Sequence, residues 1–304
     1  MYLLLNQNTT PTELGAINPN TTVLQWLRKN NLVGTKEGCA AGDCGACTAV
    51  VGELITRNNK QAIQYKSINT CIALASSMIG KHLVTVEGLV EGENLHPVQQ
   101  AMVTENGSQC GFCTPGVVMS LFAMYHSEDK LNITKINEGL SGNLCRCTGY
   151  KPIIAAAFSS INEKANNPAD YYTKNQTKIK QTLARLNTAQ NISLSYNNNG
   201  NTIHYDAPTS LKDLAKVLGN NPQATILAGG TDLNLEITQS TRQFSHIINI
   251  SQVQELNAIK DEKSKIEIGS AVTYQDASSS LIKYWPELEG FLYRFASLPI
   301  KNWA

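Results

Sequence analysis

Eight cysteines hold most of the chemistry open to this 304-residue sequence, and all of them precede residue 148. They fall into two sets of four. Cys39, Cys44, Cys47 and Cys71 follow the spacing Cys-x4-Cys-x2-Cys-x23-Cys, whereas Cys110, Cys113, Cys145 and Cys147 follow Cys-x2-Cys-x31-Cys-x-Cys. None is left over. Four thiolates can hold zinc or an iron–sulfur cluster, and eight cysteines can also form disulfides. The opening "MYLLLNQNTTPTEL" has too short an apolar run, and no basic region before it, for a secretory signal. The expected compartment is the cytoplasm, where thiols are kept reduced, and this weighs against disulfides.

The first set matches the plant-type ferredoxin spacing, three thiolates from one tight loop and a fourth from a distant segment. Glycines at 38, 42 and 45 are expected to take positive φ, wrapping the backbone closely and aiming N–H groups at sulfur. Zinc needs neither the x4 wrap nor this glycine density. The histidines, His82, His96, His126, His204 and His246, are scattered and form no ligand-like pair in the sequence. A [2Fe–2S] cluster is therefore the favoured occupant of the first set. The second set is less diagnostic, because "CGFC" also suits a redox pair or half a zinc site. Its surroundings lean toward iron–sulfur: Thr114 as a cap with Pro115 opening one helix, and Pro152 near the start of a second in "CRCTGYKPIIAAAF", would place thiolates at two positive helix ends, with Arg146 beside them.

Other elements must position these loops. "TTVLQWLRKNNL" reads as an amphipathic helix with Val23, Leu24 and Leu27 inward. From about residue 162 the composition turns polar, although Ile179, Leu183 and Leu186 fall at helical spacing. "ISLSY" and "TIHY" flank "NNNGN" as a hairpin. A new fold is expected from about residue 204. Ser210 and Asp213 suggest a capping box, Gly219 a helix stop, and "ATILAGGTDLNLE" a buried strand running into a glycine turn. Such a turn can present backbone N–H groups to a phosphate, but by itself it is weak evidence.

The balance of 25 Lys and Arg against 24 Asp and Glu gives a net charge of +1, so no global field recruits nucleic acid or anionic lipid. No apolar run approaches the roughly 20 residues of a membrane span. Nucleic acid and membrane are not expected partners. The sequence shows no catalytic triad, paired carboxylates or HExxH, and no catalytic residue is assigned.

At "GTKEGCAAGDCGACTAVV", "NTCIALASSMIGKHLVTVEGL", "LHPVQQAMVTENGSQCGFCTPGVVMSLFAMYH" and "LSGNLCRCTGYKPIIAAA" the sequence resembles the molybdenum hydroxylases, specifically the small subunits of the xanthine dehydrogenase kind that join two [2Fe–2S] domains to a flavin domain. The resemblance implies an α+β multidomain chain. It would comprise a β-grasp ferredoxin-like domain over residues 1–88, a helical [2Fe-2S]-binding domain over 89–161, a linker over 162–203, and over 204–304 the N-terminal part of an α+β FAD-binding domain. It also turns the second cysteine set into a cluster site nearer the molybdenum, with Gln109 touching the molybdopterin cofactor of a partner large subunit. "LAGGTDL" matches the first pyrophosphate-binding segment of the flavin domain, so Leu227, Ala228, Gly229, Gly230, Thr231, Asp232 and Leu233 become FAD contacts. "HIINISQVQELNAI", "KIEIGSAVTYQDA" and "YRFASLPIKN" continue the match, with Phe295 and Ala296 lining the flavin site. In the family "SLPIKN" leads into a second glycine turn, whereas this sequence stops at "KNWA". The FAD site is thus expected to be incomplete, with FAD held weakly or not at all by this chain alone. The implied work is electron transfer from molybdenum through the Cys110 set, then the Cys39 set, to FAD and NAD.

Overall fold

A computed structural model describes residues 1–57, 60–128, 130–162, 164, 169–187, 190–262 and 265–304. Strands β1 (Tyr2–Leu5), β2 (Thr12–Glu13), β3 (Thr48–Arg57), β4 (Lys60–Asn69) and β5 (His82–Val84) form one sheet in the order β2-β1-β5-β3-β4. β1 and β5 are parallel and the rest antiparallel, a β-grasp arrangement with helix α1 (Val23–Lys29) across it. Alternation along β3 decides the two faces: Ala49 and Val51 join α1's Val23, Trp26 and Leu27, whereas Val50 points to the opposite core. Val23, Leu24 and Leu27 are buried as their spacing predicts, and Trp26 is buried with them, its Nε1 donating to the Leu14 carbonyl. Thr22 and Gln25 close the helix start with a reciprocal capping box.

The second face is covered by a helical layer: α2 (Pro97–Thr104), α3 (Thr114–Ser127), α4 (Ile133–Gly139) and α5 (Lys151–Asn162). Val117, Val118, Leu121 and Phe122 of α3 share a core with Leu4, Val50, Tyr65 and Val84 of the sheet. The start of α3 differs from the sequence reading. Cys113 stands at the cap position without a side-chain cap bond, Thr114 and Pro115 are already helical, and the Thr114 hydroxyl meets that of Ser108 at 2.7 Å.

The stretch expected to be a linker contributes to this core. Helices α6 (Tyr171–Lys174) and α7 (Gln176–Leu186) lay Tyr172, Ile179 and Leu183 into it. Asp170 is the anchor. Its Oδ1 accepts from the Thr173 N–H, while its Oδ2 lies 2.7 Å from His96 Nε2 and 2.8 Å from His126 Nε2. Burial works against the Asp170 carboxylate, but the bonds from His126 and His96 outweigh it and hold the carboxyl far below its usual range. The histidines thus do converge, because α2 and α3 bring together residues 30 positions apart in the sequence. The Val98 N–H points at His96 Nδ1, so His96 Nε2 carries the proton and donates it to Asp170, leaving that nitrogen no lone pair for a metal.

The third unit has a sheet in the order β6-β7-β9-β8, from β6 (Ile192–Asn198), β7 (Asn201–Ala207), β8 (Thr225–Leu227) and β9 (His246–Asn249). The expected hairpin is β6–β7, turned by Asn199 and Gly200, both at positive φ. Helix α8 (Leu211–Asn220) is capped by Ser210, whose oxygen accepts from the Asp213 N–H. The Asp213 carboxylate returns to the Ser210 hydroxyl instead of to a backbone N–H, and Gly219 lies inside the last turn, not beyond it. The strand before the glycine turn is only half buried: Leu227 is enclosed and Ile226 is exposed. α9 (Leu235–Thr238), the β10–β11 hairpin (Ile259–Glu262, Lys265–Ile268), α10 (Tyr274–Tyr284), α11 (Glu289–Phe295) and α12 (Leu298–Lys301) complete the chain. Leu194, Tyr205, Leu227, Phe244 and Ile247 pack into the same core as α1, so the third unit is continuous with the first.

Acid should loosen this assembly through His82. Its Nε2 faces the Asn6 carbonyl at 2.8 Å and so carries the proton, while Nδ1 faces the Tyr65 hydroxyl. Burial, opposed by the Asn6 bond, lowers its pKa from 6.5 to about 4. The unfolded chain binds this proton more readily, so stability is full above the unfolded value and falls as pH drops toward about 4, by roughly 3 kcal/mol. Thermal melts at about pH 7 and about pH 4.5 should show that loss, and His82→Gln should make the acid slope shallower.

Candidate cofactor sites

The first four cysteines converge beside the end of β4. Cys39 Sγ accepts from the N–H groups of Ala41, Asp43 and Cys44 at 3.3, 3.3 and 3.4 Å, and the Cys39 N–H donates to Cys44 Sγ at 3.4 Å. Cys47 Sγ and Cys71 Sγ are 3.3 Å apart and buried. Gly42 and Gly45 have the expected positive φ, but Gly38 does not. The third left-handed residue is Ala40, at φ 53°. Gly38 is needed for proximity instead, since a Cβ there would sit 2.7 Å from Cys44 Sγ. Asn69 Nδ2 donates to the Gly42 carbonyl at 2.6 Å and ties the loop to β4.

The second four lie at the starts of α3 and α5. Cys110 pairs with Cys147 and Cys113 with Cys145 through side-chain contacts. Cys145 is buried, Cys110 and Cys147 are exposed, and the predicted molybdopterin contact Gln109 is exposed beside them. The Thr148 hydroxyl lies 3.1 Å from Cys145 Sγ, and the Tyr150 hydroxyl accepts from the Cys145 N–H. All eight cysteines are free of disulfides.

Each site divides into two sulfur pairs of opposite acidity. Burial raises the Cys113 thiol, helped by Cys145, to about 12. Burial would raise Cys145 too, but the Thr148 hydroxyl and backbone bonds prevail and bring it down to about 7. Contact with Cys71 lowers Cys47, and contact with Cys47 raises Cys71 far above the usual thiol range. Sulfurs this close repel one another as thiolates unless a cation lies between them. The four-sulfur donor sets and the N–H groups aimed at sulfur suit iron–sulfur clusters.

The two loops touch. The Leu144 N–H, one residue before Cys145, donates to the Cys44 carbonyl at 3.0 Å. The next carbonyl, Gly45, accepts from the Thr48 N–H, the Thr48 hydroxyl and Asn143 Nδ2 at 3.1, 2.7 and 3.2 Å. A Cβ on Gly116 of α3 would strike that same oxygen, and one on Gly45 would strike the Gly142 carbonyl. Sequence reading missed Gly116, Gly142 and Asn143; their only local signal is a glycine beside each cysteine motif.

The glycine turn lies against the first unit. Gly229 and Gly230 have φ 68° and 87°, and the Gly230 N–H bonds the Ala228 carbonyl. Among the described residues the N–H groups of Gly229, Thr231, Asp232 and Leu233 donate to no protein acceptor, a row of donors that suits a pyrophosphate. Leu227 is buried while Ala228 and Asp232 are exposed. Phe295, 46% exposed, packs on Tyr274 and Phe291 with Ala296 next in the chain. No described hydrogen bond or ring contact joins either residue to the turn.

Family comparisons agree with this order of sites. A 2Fe-2S iron-sulfur cluster binding domain matches residues 5–76, a [2Fe-2S] binding domain matches 85–158, and an FAD binding domain in molybdopterin dehydrogenase matches 201–304. Together the three matches span most of the chain, in an order similar to that of the iron–sulfur and flavin part of the molybdenum hydroxylase family. It is 31% identical to a xanthine dehydrogenase of Drosophila pseudoobscura pseudoobscura over 91% of its own length and 23% of that protein's. It is 32% identical to xanthine dehydrogenase 1 of Arabidopsis thaliana, over 83% and 22% of the two lengths. The chain thus spans less than a quarter of these curated relatives. A solved structure, quinoline 2-oxidoreductase from Pseudomonas putida 86, is 31% identical over 50% of this chain and 89% of that one, with a TM-score of 0.42. The chain thus carries two [2Fe–2S]-binding domains and an FAD-binding domain. No helix among the described residues is long and apolar enough to cross a membrane.

Gly116→Ala tests the contact between the loops. Alanine is the better helix former by about 1 kcal/mol, so propensity alone predicts a gain. The clash with Gly45 predicts the reverse: a lower melting temperature and loss of iron, read by metal analysis and visible absorbance.

Proposed function

We propose that this chain is the electron-transfer part of a molybdenum hydroxylase of the xanthine dehydrogenase kind. The reading rests on one observation above others: two four-cysteine sites whose backbones meet through the Cys44 carbonyl and the Leu144 N–H. Cys110, Cys113, Cys145 and Cys147 hold one [2Fe–2S] cluster, and Cys39, Cys44, Cys47 and Cys71 hold the other. The clusters and flavin supply the redox chemistry, and the chain supplies spacing, orientation and local charge.

Electrons enter from the partner at the second site, where Cys110 and Cys147 are exposed. Gln109, exposed beside these cysteines, contacts that partner's molybdopterin. The first site takes them on through the contact between the two loops, with Cys47 and Cys71 shielded from water. The N–H groups at Gly229 and Thr231 to Leu233 hold the FAD pyrophosphate, supported by Leu227, Ala228 and Gly230, with Phe295 and Ala296 toward the ring. A molybdenum-bearing large subunit oxidises xanthine, NAD is the final acceptor, and the assembly works in the cytoplasm.

Anaerobically purified chain should contain about four iron and four sulfide and show two distinct signals in electron paramagnetic resonance after reduction. Cys71→Ser and Cys145→Ser should each abolish a different one. Zinc without visible absorbance would overturn the reading. Mixing with a molybdenum-bearing partner should then give xanthine-dependent NAD reduction, and reduction with another substrate alone would keep the electron-transfer role while replacing xanthine.

A further inference from the structure

The flavin turn and the Cys71 side of the first cluster site meet at Asn234, a side chain outside both motifs. It is 0% exposed. Its Nδ2 donates to the Ile72 carbonyl at 2.8 Å, one residue beyond Cys71, and its backbone N–H donates to the Gly230 carbonyl at 2.9 Å. The amide packs so tightly on the turn that a Cβ at Gly230 would lie 2.7 Å from Nδ2. Ile72 in turn packs against Gly42, within the Cys39–Cys44 loop.

Packing alone does not call for an amide here. Asn234 stands at the start of α9 but makes no side-chain cap bond, and its enclosed Oδ1 meets no donor among the described residues. A leucine of similar size would avoid that unpaired acceptor. What the amide adds is the donor to Ile72.

We propose that Asn234 is a positioning residue for electron exchange between the Cys39, Cys44, Cys47 and Cys71 site and the flavin, a role that rests on the function proposed above. The bonded route runs from Cys71 along the backbone to the Ile72 carbonyl, through Nδ2–H into Asn234, and from the Asn234 N–H to Gly230. Each transfer moves one electron from reduced cluster to flavin without making or breaking a bond within the chain, and solvent supplies the protons that balance the reduced flavin.

The test uses the full chain with its clusters, as Asn234→Leu and, in case leucine disturbs the fold, Asn234→Ala, which loses no cap bond. Cys71→Ser assigns the two paramagnetic signals. In either variant the Cys71 cluster should show an altered signal and a lower midpoint potential, because a donor dipole that favours the more negative reduced cluster is gone. The Cys145 cluster should be unchanged, whereas a general packing defect would move both. FAD affinity, read by quenching of flavin fluorescence, should fall about fivefold to tenfold. A folded variant with full iron and an unaltered Cys71 signal and potential overturns the proposal. Failure of the underlying reading is seen separately, as an absence of iron in the parent chain.

Discussion

The carbonyl of Gly45 is the point on which the arrangement of both cluster sites depends. It accepts from Thr48 at the start of β3 and from Asn143 just before Cys145, and α3 can pass only because residue 116 has no side chain. Each neutral bond contributes about 1 kcal/mol, so the constraint is less energetic than geometric. Two backbones and the Asn143 side chain approach one oxygen, and the Cys44 and Leu144 backbones are thereby held one hydrogen bond apart. Electron exchange falls steeply with distance, which makes this approach the feature that a sequence of glycines, and not of charges, is suited to provide.

A second constraint joins the flavin unit to the ferredoxin-like unit. Asn20 exchanges two hydrogen bonds with the Phe244 backbone, Asn234 reaches Ile72, Asn249 reaches Ser77, and Asn302 reaches the Ser67 carbonyl. All four asparagines are buried. Amides fix direction as charges do, but they do not titrate and impose no net field on neighbouring redox centres. Where charge is used, it is paired at once: Lys301, buried in α12, meets Glu138 of α4 at 2.7 Å. Asp170 is likewise enclosed by His96 and His126. Removing one partner of such a pair would strand a buried charge, a heavier penalty than losing one amide bond.

What the sequence made legible was local. Cysteine spacing divided the eight thiols into the two sets of four that the fold gathers, the period of Val23, Leu24 and Leu27 announced α1, and the "NNNGN" stretch announced the β6–β7 turn. What it concealed was long-range or depended on a neighbour. Gly38 was expected at positive φ from its type, yet Ala40 takes the left-handed position because the N–H groups that follow it, of Ala41 and Asp43, must turn back toward Cys39 Sγ. The polar stretch after residue 162 gave no sign that Asp170 would be drawn into the core, since its partners lie on α2 and α3. Gly116 looks like a poor helix residue until Gly45 is placed beside it.

The two cysteine sites also differ in how they deal with water. At the first, Cys47 and Cys71 are enclosed, solvation is lost, and the negative charge of a thiolate cluster must be met by protein dipoles. The Gly42 N–H meets it at enclosed Cys71, and three further N–H groups gather on Cys39 at the exposed edge of the site. At the second, Cys110 and Cys147 face outward, where solvent or a docking partner can share the charge. Burial and dipoles act in opposite senses on the stability of added negative charge, so the potential of the enclosed site is set by how firmly its loop is held. That places weight on the residues that hold it, Asn69 from β4 and the carbonyl contacts at Cys44 and Gly45, which touch no cofactor and lie outside the cysteine motifs.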